Sequence, residues 1–130
     1  MSLTFDFIGI VTRDLAASLA FYRMLGLDLA EGQDSEPHVE VTLSNGVRIG
    51  WDPIETIHSF DPGYEFPSGD HRVAFGYQAA DVAEVNAVHA KLVADGYQSR
   101  VDPWDAPWGQ RYATVLDPDG NAIDIYAPLS

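Results

Sequence analysis

Two tryptophans, Trp104 and Trp108, stand in the run Pro103-Trp104-Asp105-Ala106-Pro107-Trp108-Gly109-Gln110-Arg111. Its prolines argue against helix, so the run reads as a loop. Rings placed there either pack as a lid on a sheet edge or wall a pocket onto which a planar ligand stacks. In the second case Arg111 is the polar anchor. The four histidines, His38, His58, His71 and His89, form no close pair such as His-x-x-x-His, and there is no cysteine. That leaves no thiolate nucleophile, disulfide framework or zinc ribbon, and no histidine pair for a metal. His89 falls beside an apolar helical stripe and reads as partly solvated. His38 and His58 fall near turns and read as facing water.

Charge narrows the partners. Twenty acids against seven bases give a formal net charge of −13. Such a surface repels phosphate backbones and anionic lipid, which excludes nucleic acid and membrane and favours a small-molecule ligand. The 130 residues suffice for one ordinary domain with its own core. No apolar run reaches the ~18 residues of a membrane span, and the first residues lack a basic signal-peptide start, so the expected location is cytoplasmic.

The elements that must position these residues read as one unit written twice. The first runs over about 4–52. A strand at Phe5–Val11 precedes a helix that Thr12 or Asp14 caps, with Leu15, Leu19, Tyr22 and Leu25 at helical spacing and Gly26 as its stop. Strands follow at Leu27–Ala30, His38–Leu43 and Val47–Trp51, the last two joined by the hairpin signal Asn45-Gly46. The second unit runs over about 71–128. It has a strand at Arg72–Gln78, then a helix with the Asp81…Glu84 capping pattern and the stripe Val85, Val88, Leu92. Strands at Gln98–Val101, Arg111–Leu116 and Ala122–Tyr126 complete it, with the turn Asp117-Pro118-Asp119-Gly120 between the last two. Residues 53–70 are rich in Pro, Gly and acids with Phe60, Tyr64 and Phe66 interspersed, and read as a linker or as a flap. Three matches register the repeat. Ile8-Gly9-Ile10 answers Val73-Ala74-Phe75, Leu25-Gly26-Leu27 answers Asp95-Gly96-Tyr97, and Gly46-Val47-Arg48-Ile49 answers Gly120-Asn121-Ala122-Ile123. The predicted fold is α+β: two tandem βαβββ repeats forming curved mixed sheets around a cleft. Ile8, Ile10, Val73 and Phe75 are predicted to be buried, and Phe7, Gly9, Arg72 and Ala74 to face the cleft.

These residues carry a resemblance. Ile8–Val11 with Asp14-Leu15, Phe21-Tyr22 and Leu25-Gly26-Leu27 are followed by Trp108-Gly109-Gln110-Arg111-Tyr112, Asp117-Pro118-Asp119-Gly120-Asn121 and Tyr126-Ala127-Pro128. In that order, with the doubled unit, they resemble the vicinal oxygen chelate superfamily, that is glyoxalase/bleomycin-resistance/dioxygenase proteins. The resemblance implies a homodimer. It also implies four metal-ligand positions, on the first and last strand of each repeat, which fall here on Phe7, Gly50, Arg72 and Asp124. Phe and Gly carry no donor and Arg is a cation, so the expectation is no metal and no cofactor. Arg72 and Asp124, on neighbouring strands, are instead expected to pair with each other.

Two functions follow from the resemblance. One is metal-independent binding of an aromatic or amphipathic small molecule, of the antibiotic-sequestration type. Its candidate ligand-binding residues are Phe7, Arg48, Arg72, Trp104, Trp108, Arg111 and Asp124. The other is a glyoxalase-like lyase, isomerase or dioxygenase acting on a small carbonyl or aromatic substrate, with Arg72 supplying positive charge and Asp124 acting as base.

Overall fold

The computed structural model describes residues 2–130, which form two compact units that divide between Ser68 and Gly69. In the first, β1 (Phe7–Thr12) leads to α1 (Leu15–Met24), then β2 (Val39–Thr42), β3 (Arg48–Pro53) and a short α2 (Ile54–His58). In the second, β4 (Ala74–Gln78) leads to α3 (Val82–Ala94), then β5 (Ser99–Ala106), β6 (Gln110–Leu116) and β7 (Ala122–Pro128). Each unit is a mixed sheet with its helices, in strand orders β1-β3-β2 and β4-β7-β6-β5. The first and last strands of each unit run parallel.

Local sequence explains the elements. The Asp14 carboxylate accepts from the Ala17 N–H and the Asp81 carboxylate from the Glu84 N–H, capping α1 and α3. Gly26 and Gly96, at φ 92° and 95°, end those helices in the left-handed conformation that only glycine adopts freely. Asp117 shapes the β6–β7 turn by accepting from the N–H groups of Asp119 and Asn121 at 2.9 and 2.8 Å.

Alternation assigns the faces. In the first unit Ile10, Val39 and Trp51 are buried on one face, where Tyr22 of α1 meets Trp51 at 5.3 Å between rings. In the second, Val115, Ile123 and Ile125 are buried together with Val85 and Leu92 of α3. The opposite faces carry the site residues.

Four sequence expectations need correction. Leu27–Ala30 is not a strand. Arg23, at the end of α1, donates to the Leu29 and Ala30 carbonyls at 3.0 and 2.6 Å, so a side chain satisfies what a neighbouring strand would. Trp104 lies on a strand, not in a loop, because β5 continues to Ala106 through register shifts between Ser99, Val101 and Trp104. Only Pro107–Gly109 turns there. The first strand of the second unit also begins later than expected. Arg48 and Ala122 occupy matching places on the last strands; Arg48 pairs with Phe7, and Ala122 pairs with Ala74. Ala74, not Arg72, therefore answers Phe7, and Arg72 falls outside β4. For the same reason Val73, expected in the core, is 67% exposed, while Ile8 and Phe75 are half-buried and Ile10 is buried. Residues 53–70 include α2, and Phe66 lies under the Arg13 guanidinium at 4.5 Å.

Candidate functional site

The helix-free face of the first sheet is a charge cluster. Phe7 and Gly9 of β1, Arg48, Gly50 and Asp52 of β3 and Glu40 of β2 share this face by register, and His38 precedes β2 on the same side. The His38 imidazole bonds Asp52 through Nδ1 at 2.5 Å and Glu40 through Nε2 at 2.7 Å. These bonds, to Asp52 first and Glu40 second, raise the His38 pKa above its ordinary value. The same His38 bond holds the Glu40 carboxyl below the usual range. Arg48 donates to both Glu40 oxygens at 3.2 and 3.3 Å, and its guanidinium lies 5.0 Å from the centre of the Phe7 ring.

Gly50 makes that packing possible. A Cβ there would stand 2.8 Å from the Phe7 ring and 2.9 Å from the His38 ring. Both rings occupy the space that a side chain on β3 would need.

The corresponding face of the second sheet is aromatic. Tyr112, Tyr126, Asp124, Thr114 and Trp104 share it by register, and Trp108 reaches it from the β5–β6 turn. Trp104 meets Trp108 edge-on at 5.6 Å, Trp108 meets Tyr112 edge-on at 5.5 Å, and Tyr112 stacks on Tyr126 at 5.8 Å. Trp104 is 42% and Trp108 59% exposed. Trp108 is oriented by donating its indole N–H to Gln110 at 2.9 Å. Gly76, across from Asp124, leaves room for the Tyr126 ring, which a Cβ would approach to 3.3 Å.

Asp124 sits half-buried at the foot of this ladder. Its carboxylate accepts from the Tyr112 hydroxyl at 2.5 Å and the Thr114 hydroxyl at 2.7 Å. Burial first, and the bond to Asp124 second, push the Tyr112 pKa up to about 12, so its hydroxyl stays a donor.

The predicted site residues therefore divide. Trp104, Trp108 and Asp124 share one face, and Phe7 and Arg48 share another. The expected Arg72–Asp124 pair is not formed: two hydroxyls serve Asp124, and Arg72, displaced by the later start of β4, makes no ion pair among the described residues. Arg111 points to the helix side, donating to Asp105 at 2.6 Å and to Asn86 of α3 at 2.9 Å. It does not anchor the tryptophan face, because it neighbours Tyr112 along β6 and adjacent strand residues point oppositely.

The four metal-ligand positions, corrected for register, hold Phe7, Gly50, Ala74 and Asp124, which supply one carboxylate. Around His38 the two carboxylates engage opposite ring nitrogens, so they do not converge on a point. Among the described residues no group of three His, Asp or Glu side chains is arranged to hold an ion. This donor set does not fit a divalent metal.

The sequence reading missed the His38 cluster. His38 and Glu40 do carry the two-residue spacing of one strand face, but Asp52 and Arg48 join them only through the β2–β3 register. His58 and His89 also have partners: the Tyr64 carbonyl at 2.9 Å and the Ser99 hydroxyl at 2.8 Å.

A doubled α+β unit whose first and last strands pair in parallel, with one principal helix per sheet, defines the fold class. Residues 4–125 match the family model of the Glyoxalase/Bleomycin resistance protein/Dioxygenase superfamily, and the chain belongs to that superfamily. Among solved structures it is similar to a glyoxalase/bleomycin resistance protein/dioxygenase family enzyme from Burkholderia phytofirmans. That match has 20% identity and a TM-score of 0.82, covering 98% of this chain and 100% of the other. A glyoxalase-related enzyme from Fulvimarina pelagi is similar at 23% identity and TM-score 0.79, covering 98% and 88%. A glyoxalase/bleomycin resistance protein/dioxygenase from Nocardioides follows at 22% and 0.76, covering 100% and 86%. At these identities the likeness concerns the fold. No curated protein matches the sequence. Among the described residues no helix is long and apolar enough to cross a membrane.

Proposed function

We propose that this protein binds an aromatic or amphipathic small molecule without a metal, in the manner of antibiotic sequestration, on the aromatic face of its second unit. The observation that carries this reading is the ladder Trp104–Trp108–Tyr112–Tyr126, which ends in two exposed indoles. Large exposed rings held in a fixed edge-on geometry offer stacking area at little entropic cost. Sequestration needs no reacting group, only such walls and a polar anchor, and Asp124 is the anchor within reach of Tyr112.

The enzymatic reading has less support. It requires Arg72 to act beside Asp124, and the two do not meet. We further propose that the chain works as a homodimer, since both sheets keep free edges that a second copy would cover.

Tryptophan fluorescence tests the binding. Of the three tryptophans, Trp51 is fully buried and serves as an internal reference. Titration with acridine, a planar neutral probe at pH 8, is expected to quench the exposed indoles saturably. Failure to quench, or equal calorimetric affinity in a Trp104→Ala, Trp108→Ala double variant, would overturn the reading.

A further inference from the structure

We propose that the aromatic face is specific for an organic cation, a planar aromatic or alkylated ammonium, whose positive charge sits against Asp124 and the Tyr112–Tyr126 rings. The inference rests on the aromatic-binding reading and adds the charge of the ligand. It begins with a charge that nothing neutralises. Asp124 accepts two hydroxyl hydrogen bonds but makes no ion pair among the described residues. A carboxylate offers about four acceptor sites, so about two remain. Hydroxyl donors hold the group in place and leave its full negative charge standing.

The surroundings select the partner. Tyr112, which donates to Asp124, stacks on Tyr126 at 5.8 Å and meets Trp108 at 5.5 Å. Ring faces present negative potential, so a cation beside Asp124 gains attraction from the carboxylate and from the rings. An anion would meet repulsion from both. A small hard metal ion is excluded by donor count, whereas a soft, weakly hydrated ammonium needs no set of converging oxygens. The net charge of −13 adds a long-range pull of the same sign. The matching face of the first unit differs: there His38 and Arg48 already engage Asp52 and Glu40.

Calorimetry with a matched pair of probes tests the proposal. Acridine, neutral at pH 8, is compared with N-methylacridinium, similar in shape but cationic. The experiment uses about 0.5 M salt, where the screening length is about 4 Å and the overall field is suppressed. The wild type is expected to bind the cation at least tenfold more tightly. Asp124→Asn is expected to bring the two within about threefold of each other, and Asp124→Glu to restore part of the preference.

A wild-type measurement stands beside the variants, in case they fold poorly. Tetramethylammonium should displace N-methylacridinium but not acridine, measured against sodium at equal ionic strength. Equal affinity for the two probes, or a preference that survives Asp124→Asn, overturns the charge inference and leaves aromatic binding standing. So does failure of tetramethylammonium to compete. Binding of neither probe overturns the binding reading, and this inference with it.

Discussion

The two sheets present matching positions with opposite chemistry. On the first, each charge has met its complement: His38 lies between Asp52 and Glu40, and Arg48 holds Glu40 and approaches Asp6. On the second, among the described residues Asp124 is met only by hydroxyls, and rings take the place of cations. A cluster that neutralises itself fixes strand register and has little left to offer a ligand. An unpaired carboxylate beside ring faces keeps its binding capacity. The difference arises from small steps at matching strand positions: Gly50 admits two rings over the first sheet, while Asp124 stands at the answering position of the second.

The largest expected effect breaks the aromatic side. Replacing Trp104 and Trp108 together by Ala removes two stacking walls, each worth about 0.5–1.5 kcal/mol beyond its buried area. Probe affinity should fall by more than tenfold in a calorimetric titration. His38→Gln, on the other sheet, should leave it within twofold. An equal loss from both variants would mean that the two faces do not differ as described.

The next effect is one of packing. Gly50→Val inserts a branched side chain where a Cβ alone would lie 2.8 Å from Phe7 and 2.9 Å from His38. Displacing both rings should cost about 1–3 kcal/mol in denaturant unfolding and break the His38–Asp52 bond. Gly76→Ala, whose Cβ approaches Tyr126 no closer than 3.3 Å, should cost less. Reversal of that order would refute the account of Gly50 as the more crowded position.

A third measurement reads the charge cluster through pH. The His38 pKa is raised in the folded state by Asp52 first and Glu40 second. Its contribution to stability is therefore complete below the ordinary histidine value of about 6.5 and is lost as pH rises through the folded value. Because the pair is partly exposed, the loss should stay below about 1 kcal/mol. Stability of the wild type relative to His38→Gln, followed from pH 6 to 9, should decline on the alkaline side. A difference that grows with pH would contradict the sign.

Legibility in the sequence followed the range of the interactions. The caps at Asp14 and Asp81, the stops at Gly26 and Gly96 and the Asn45-Gly46 hairpin are local, and each stands where the pattern placed it. Seven candidate ligand residues were chosen by type; Trp104, Trp108 and Asp124 fall on one face, Phe7 and Arg48 on the first sheet, and Arg72 and Arg111 on neither. Leu27–Ala30 carries a strand-like pattern, but an arginine four residues upstream takes its carbonyls. The start of β4 depended on a two-residue offset that leaves alternation intact, so the pattern at Arg72 and Ala74 looks the same either way. The His38 cluster needed β2–β3 pairing, which no local signal specifies.

The smallest effect tests the assignment of faces itself. Arg111 is spent on Asp105 and Asn86, and its side chain leaves β6 on the side opposite Tyr112. Arg111→Gln removes a half-exposed ion pair with Asp105, and should lower stability by about 0.2–1 kcal/mol. Its effect on N-methylacridinium and acridine affinity should stay within twofold, because neither probe reaches the helix side of the sheet. Removing a distant cation even strengthens the local negative field slightly, so any small change should favour the cationic probe. A tenfold loss of affinity for either probe would place the guanidinium at the ligand. That outcome would reverse the β5–β6 face assignment and undo the separation of Arg111 from the tryptophans.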